Sequence, residues 1–127
     1  MASKTLHEMT ADVVVVGSGA GGAAAAKELA EGGLSVVLVE EGHHYKTEDF
    51  DNDPRHALQR LYRHAGASVI MGKPPIIFTE GRCVGGSTVV NGGISWRTPE
   101  KIVKRWEWEH GLRSMTMAKL EPIFLRV

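Results

Sequence analysis

The feature that most constrains this chain is residues 12–22, D-V-V-V-V-G-S-G-A-G-G. The unbroken apolar run Val13 to Val16 reads as a short strand buried on both faces, because β-branched residues without polar alternation suit a strand covered on each side. Gly17-x-Gly19-x-x-Gly22 follows and opens into an alanine-rich segment, residues 23–30. Alanine loses no side-chain entropy in a helix, so this segment is predicted helical. Strand, glycine turn and helix in that order are the setting in which this glycine spacing signifies dinucleotide binding. Gly17 permits the tight turn, Gly19 admits a pyrophosphate with no Cβ in the way, and Gly22 allows close helix–strand packing. The helix N-terminus adds free N–H groups and a partial positive charge.

A second apolar run, residues 34–39, ends in Glu40, eighteen residues after Gly22. That is near the spacing of about 20 expected for the acid that holds a ribose. A carboxylate there accepts hydrogen bonds from ribose hydroxyls and repels a 2′-phosphate, and Glu41 reinforces the repulsion. Two buried strands around a helix with no ligand is the competing reading, and the acid at this spacing argues against it.

Bulk properties narrow the class. The chain has 127 residues, enough for one domain, and fifteen basic against fifteen acidic side chains give zero formal charge. No electrostatic footprint for nucleic acid or a membrane surface is present. The single cysteine, Cys83, excludes an intramolecular disulfide and argues against a secreted scaffold. No signal-peptide pattern and no apolar run of the roughly 18 residues a spanning helix needs is found. The expected location is cytoplasmic, with peripheral membrane attachment through residues elsewhere left open. Residues 1–11 read as a flexible lead-in and residues 12–127 as one α/β segment.

Along the chain, the first helix is expected to stop at Gly32-Gly33. His43 and His44 fall in a polar loop; neighbouring positions send their side chains apart, which suits a solvated loop better than a metal site. Asp53-Pro54 caps a helix expected to run to Ala65, with Ala57, Leu58, Leu61, Tyr62 and Ala65 on one face and Arg55, Arg60, Arg63 and His64 solvated. Pro74-Pro75 forces an extended approach to a second glycine-rich stretch, residues 81–93, G-R-C-V-G-G-S-T-V-V-N-G-G. Its glycines accommodate close backbone approach to a flat ligand, and Ser87, Thr88 and Asn91 add short donors and acceptors. An unusual loop packed on the core is the alternative. Thr98-Pro99 is expected to start another helix, with Ile102, Val103 and Trp106 as its apolar stripe, Trp108 off that face, and Gly111 as the stop. Thr116 caps a further short helix that Pro122 is expected to interrupt or bend.

Together, D-V-V-V-V-G-S-G-A-G-G with Glu40 downstream, G-R-C-V-G-G-S-T-V-V-N-G-G and the run W-R-T-P-E at residues 96–100 resemble the N-terminal part of the glucose–methanol–choline (GMC) family of FAD-dependent oxidoreductases. The resemblance implies a Rossmann-like βαβ FAD-binding unit, incomplete in this chain, with a substrate domain and the family's catalytic histidine lying beyond it. Gly17, Ser18, Gly19, Ala20, Gly21 and Gly22 would line the pyrophosphate turn and Glu40 would hold the ribose. Gly86, Ser87, Asn91, Gly92 and Ile94 would lie along the flavin half, with Arg82 near the phosphates or in solvent. Val90 occupies the place where some members carry a histidine that attaches the cofactor, so FAD would be bound noncovalently. Cys83 takes no family role and reads as a buried structural thiol.

The activity implied is oxidation of an alcohol CH–OH group by hydride transfer to flavin, with an unspecified electron acceptor and no catalytic residue or metal ligand in this chain. The length relative to the family is that of an N-terminal fragment, expected to be inactive and poorly stable alone because a two-strand core leaves edges exposed. Two alternatives remain at this point. Residues 12–40 alone fit an NAD-dependent reductase, and a truncated, non-catalytic remnant fits the length.

Overall fold

A computed structural model describes residues 8–126. The expected lead-in, residues 1–11, therefore falls mostly outside the described residues. The chain separates into two compact units, one ending at Gly92 and the other beginning at Gly93.

The first unit opens with a β-α-β sequence: β1 Val13–Val16, α1 Ala20–Glu31 and β2 Val36–Val39. The strands pair in parallel, Val13 opposite Val36 through Val16 opposite Val39. The helix ends as its sequence predicts, with Gly32 at the C-cap and Gly33 at φ +89° beyond it, a backbone conformation that glycine adopts without a Cβ penalty.

Each end of the parallel pair is fastened by an acid and a serine. At the start, Ser35 donates to the Asp12 carboxylate from its backbone N–H at 2.8 Å and its hydroxyl at 2.6 Å. At the finish, Ser18 does the same to Glu40. One expectation fails here. Val14 is 60% exposed and Val16 84%, so β1 is not buried on both faces within these residues. Leu38 and Val39 of β2 are also exposed. A two-stranded sheet with one helix supplies cover for one face only, which is why the apolar run exceeds what the unit can bury.

The helix begun by Asp53 also departs from expectation. Asp53 caps it, accepting from the Arg55 N–H at 2.8 Å, but α2 spans Pro54–Leu61 and ends four residues before Ala65. Tyr62 turns extended, and a 3-10 turn, Arg63–Gly66, contains His64 and Ala65 at positive φ. The backbone there is taken by another partner. Tyr62 bridges Gly81 in antiparallel sense, Arg63 N–H donates to Glu80 O at 3.0 Å, and Arg82 N–H donates to Leu61 O at 2.7 Å. These non-local bonds replace the helix's last turn. Leu61 is buried as expected, whereas Leu58 on the same face is exposed.

An antiparallel hairpin follows, β3 Ser68–Ile70 with β4 Ile76–Phe78. The paired prolines lie in its connection, where residues 72–74 bend and the expected extended run begins only at Ile76. The second unit holds α3 Glu100–His110 and α4 Met117–Phe124. Pro99, not Thr98, is the N-cap of α3, one position later than expected. Val103 is buried and Trp108 exposed, as the stripe predicts. Pro122 lies inside α4 without ending it, so the expected interruption does not occur; the ring removes one N–H donor but its fixed φ is helical.

Candidate cofactor-binding site

The glycine turn after β1 begins with Gly17, whose N–H donates to Val39 O at 2.7 Å and whose φ is +90°. Gly19 is the N-cap of α1. The first N–H groups of a helix have no partner within it, and no acidic residue stands in the first turn of α1 to compete for them. A Cβ built on Gly17 or Gly19 meets nothing within 4 Å, whereas one on Gly22 lies 2.0 Å from Gly17 O. Gly17 and Gly19 thus border open space, and Gly22 lies against the turn itself.

That open space is a cleft of about 510 Å³ lined by Val16, Gly17, Gly19, Val39, Glu40, Glu41, Gly81, Gly86 and Ser87. Its walls come from both glycine-rich segments, and the junction between them is close. A Cβ on Gly86 would stand 3.2 Å from Gly19 Cα, and the Gly85 N–H donates to Ser18 Oγ at 2.9 Å across 67 residues. Gly85 and Gly86 hold φ of +94° and +55°, a left-handed pair that turns the second segment into the short helical turn Gly86–Thr88. The paired glycines permit this turn.

Glu40 follows β2 at the edge of the cleft. Its Oε2 accepts the Ser18 hydroxyl at 2.6 Å and the Ser18 N–H at 2.8 Å, and its Oε1 accepts the Gly42 N–H at 2.9 Å. The Ser18 hydroxyl bond first, then the two backbone bonds, hold its carboxyl down at about 2, since donors favour the charged form. Oε1 keeps capacity for a further donor. Glu41, by contrast, is spoken for: Arg63 bonds it through its guanidinium, and Arg82 Nε reaches its Oε2 at 3.1 Å. With two arginines against it, Glu41 no longer adds to the repulsion of a 2′-phosphate, and that argument rests on Glu40 alone.

The remaining expected site residues divide. Gly17, Gly19, Glu40, Gly86 and Ser87 come together in the cleft, and Ala20, Gly21 and Gly22 form the first turn of α1. Ser18 is 6% exposed and points inward to Glu40 and Gly85, so its side chain is not part of the lining. Arg82 borders a neighbouring depression shared with Glu41, His43 and Tyr62. Asn91 and Gly92 are exposed beyond the helical turn, and Ile94 belongs to the second unit. Cys83 is 1% exposed, and burial, with the Glu40 charge, pushes its thiol pKa up, the environment of an inert structural thiol.

Sequence reasoning missed Gly42 and Gly85. A Cβ on Gly42 would lie 2.4 Å from Cys83 Cα and N, and the Val84 N–H donates to His43 O at 2.9 Å. The E-E-G and G-G pairs were the available signals. It also assigned Arg63 to a solvated face, whereas Arg63 links Glu41 and Glu80; partners 22 and 17 positions away in sequence leave no local signal.

Comparison with known proteins adds two family matches. The GMC oxidoreductase N-terminal model matches residues 58–127, and an FAD-binding domain model matches residues 12–48. An uncharacterized GMC-type oxidoreductase of Mycobacterium tuberculosis is 48% identical over 103 residues, covering 80% of this chain and 16% of the relative. A long-chain-alcohol oxidase of Arabidopsis thaliana is 35% identical over 102 residues, covering 80% of this chain and 13% of the relative. Paromamine 6′-oxidase of Streptomyces fradiae is 40% identical, covering 89% of this chain and 21% of the relative. The chain therefore spans about a sixth of the length of the Mycobacterium relative.

Proposed function

Because this chain belongs to the GMC oxidoreductase family and carries an FAD-binding region, we propose that residues 12–92 form the Rossmann-like nucleotide cradle of an enzyme that oxidises an alcohol. One observation carries the reading. Two glycine segments 67 residues apart meet backbone to backbone around a cleft in which Gly17 and Gly19 leave space for a ligand and Glu40 presents a charged acceptor.

The residues fit the cofactor. The N–H groups opening α1 would hold the pyrophosphate, with the helix dipole favouring its negative charge. Glu40 would take the ribose through Oε1. Gly86 and Ser87 would border the flavin half, with Asn91 and Gly92 further along it and Arg82 outside the phosphate site. FAD, when bound, supplies the acceptor for the hydride of the CH–OH carbon. This segment's contribution is to bind and orient it. Val90, which has no nucleophilic atom, supports noncovalent attachment.

Relatives named as oxidases of a long-chain alcohol and of paromamine support an alcohol as substrate class. A cytoplasmic setting fits a single, buried cysteine, Cys83; among the described residues no helix is long and apolar enough to cross a membrane. The test is to purify the protein from its complete gene. The expected result is a flavin absorbance spectrum, cofactor released by denaturation, and alcohol-dependent reduction of a dye. A colourless protein that binds NADH would overturn the reading.

A further inference from the structure

Ser18 combines burial with three hydrogen bonds that join otherwise separate parts. Its hydroxyl has one proton, and that proton goes to Glu40 Oε2 at 2.6 Å. The Gly85 N–H then fills an oxygen lone pair at 2.9 Å. The direction of this relay is fixed, amide to hydroxyl to carboxylate, because an ionised carboxylate only accepts. A hydroxyl that donates to a charged acceptor is a better acceptor itself, so the Gly85 bond gains from Glu40. The backbone N–H of Ser18 also donates to Glu40 Oε2 at 2.8 Å, a second hold on the carboxylate end of the relay from the same residue.

Apolar packing cannot do the same job here. Among the described residues of the first unit, Leu61 and Cys83 are the buried apolar side chains, and the contact between the two glycine segments is glycine backbone on glycine backbone. Such a contact has no side-chain surface to bury, so its register depends on directed hydrogen bonds. Ser18 supplies the one from Gly85 to the first glycine turn.

We infer that Ser18 is a positioning residue for the cofactor cleft: its hydroxyl latches the Gly85–Gly86 turn onto Gly19 and orients the Glu40 carboxylate without touching the ligand itself. This inference rests on the reading of the cleft as an FAD site, yet the latch exists in the protein whether or not that reading holds.

The experiment compares the natural protein, Ser18→Ala and Ser18→Thr, all expressed from the complete gene. FAD affinity is measured by titrating the apoprotein, and exchange of the Gly85 amide by NMR. Loss of a buried hydrogen bond to a charged group predicts FAD binding about tenfold weaker, or more, in Ser18→Ala, together with fast exchange at Gly85. Ser18→Thr keeps the hydroxyl and is expected to restore both. An alanine variant that binds FAD as tightly as the natural protein overturns the inference, as does a threonine variant as weak as alanine. Where Ser18→Ala does not fold, the natural protein decides: slow exchange at Gly85 supports the latch and exchange at the solvent rate overturns it. A natural protein without flavin would defeat the FAD reading, and the Gly85 amide would still decide the latch.

Discussion

The two glycine-rich segments are alike in composition, but the glycines that open the first face space where Gly81 and Gly86 of the second face backbone. In the first, Gly17 and Gly19 border open space, and only Gly22 is pressed against backbone. In the second, a Cβ on Gly81 would lie 2.4 Å from Gly86 O, and one on Gly86 would lie 3.2 Å from Gly19 Cα. The first segment uses Gly17 and Gly19 to leave room, and the second uses Gly81 and Gly86 to let chain approach chain. Glycine-rich sequence therefore signals two different physical needs, and the cleft requires both at once.

The largest effects are expected where glycine faces backbone. Gly22→Ala would place a Cβ 2.0 Å from Gly17 O, and Gly42→Ala one 2.4 Å from Cys83 Cα. No flexible side chain is there to move aside, so each should cost about 3 kcal/mol and sharply lower the urea midpoint of unfolding. Either variant folding with an unchanged midpoint would break the distinction between the two glycine classes.

Gly19→Leu tests the other class. Gly19 has φ −65° and ψ −176°, a backbone region open to any residue, and its Cβ direction is empty. Fold stability should fall by only about 1 kcal/mol, the cost of a poor N-cap residue, while flavin content falls to background. Full flavin content in a folded Gly19→Leu protein would mean that the pyrophosphate lies elsewhere.

How much of this was legible follows from the range of each interaction. The β-α-β sequence, the Gly32-Gly33 stop and the Asp53 cap depend on neighbouring residues, and all were readable. The end of α2 was not, because Tyr62, Arg63 and Leu61 bond to residues 80–82, and local periodicity carries no trace of such partners. The exposure of Val14 and Val16 was misread for a related reason: an apolar run reports what a strand would bury, not what the chain around it supplies. At the site, glycine spacing placed Gly17, Gly19 and Glu40 in the cleft, but the inward turn of Ser18 depends on Gly85, 67 residues away.

A smaller effect should come from pH. Glu40 has a folded-state pKa of about 2 against an ordinary 4.5. A depressed carboxylate pKa stabilises the fold fully above the unfolded value, and that contribution is lost as pH falls from about 4.5 toward 2. Glu40→Gln lacks the charge at every pH. The difference in urea midpoint between the natural protein and Glu40→Gln should therefore be greatest near neutrality and shrink across that window. Asp12, Asp51 and Asp53 also have lowered values, but they are common to both proteins and drop out of the difference. A difference independent of pH would show that Glu40 acts through shape alone.

The smallest effect is expected outside the cleft, at the support of the second segment. Arg63 donates to Glu80 through Nε at 2.7 Å and pairs with Glu41, which Arg82 also holds. The guanidinium fork thus ties the side chain of the residue after Glu40 to the side chain of the residue before Gly81. All four side chains are at least a third exposed, so solvent screens the attraction and the net contribution is small. Lysine presents a single point donor in place of the fork, so Arg63→Lys should keep part of the effect and Arg63→Ala none. Salt separates charge from geometry: at roughly 1 M ionic strength the screening length falls to about 3 Å, and the stability gap between the natural protein and Arg63→Ala should close. If that gap persists in high salt, the Arg63 side chain supports the second glycine segment through the packing of its stem and not through its charge, because Arg63→Ala keeps the backbone bond to Glu80 O.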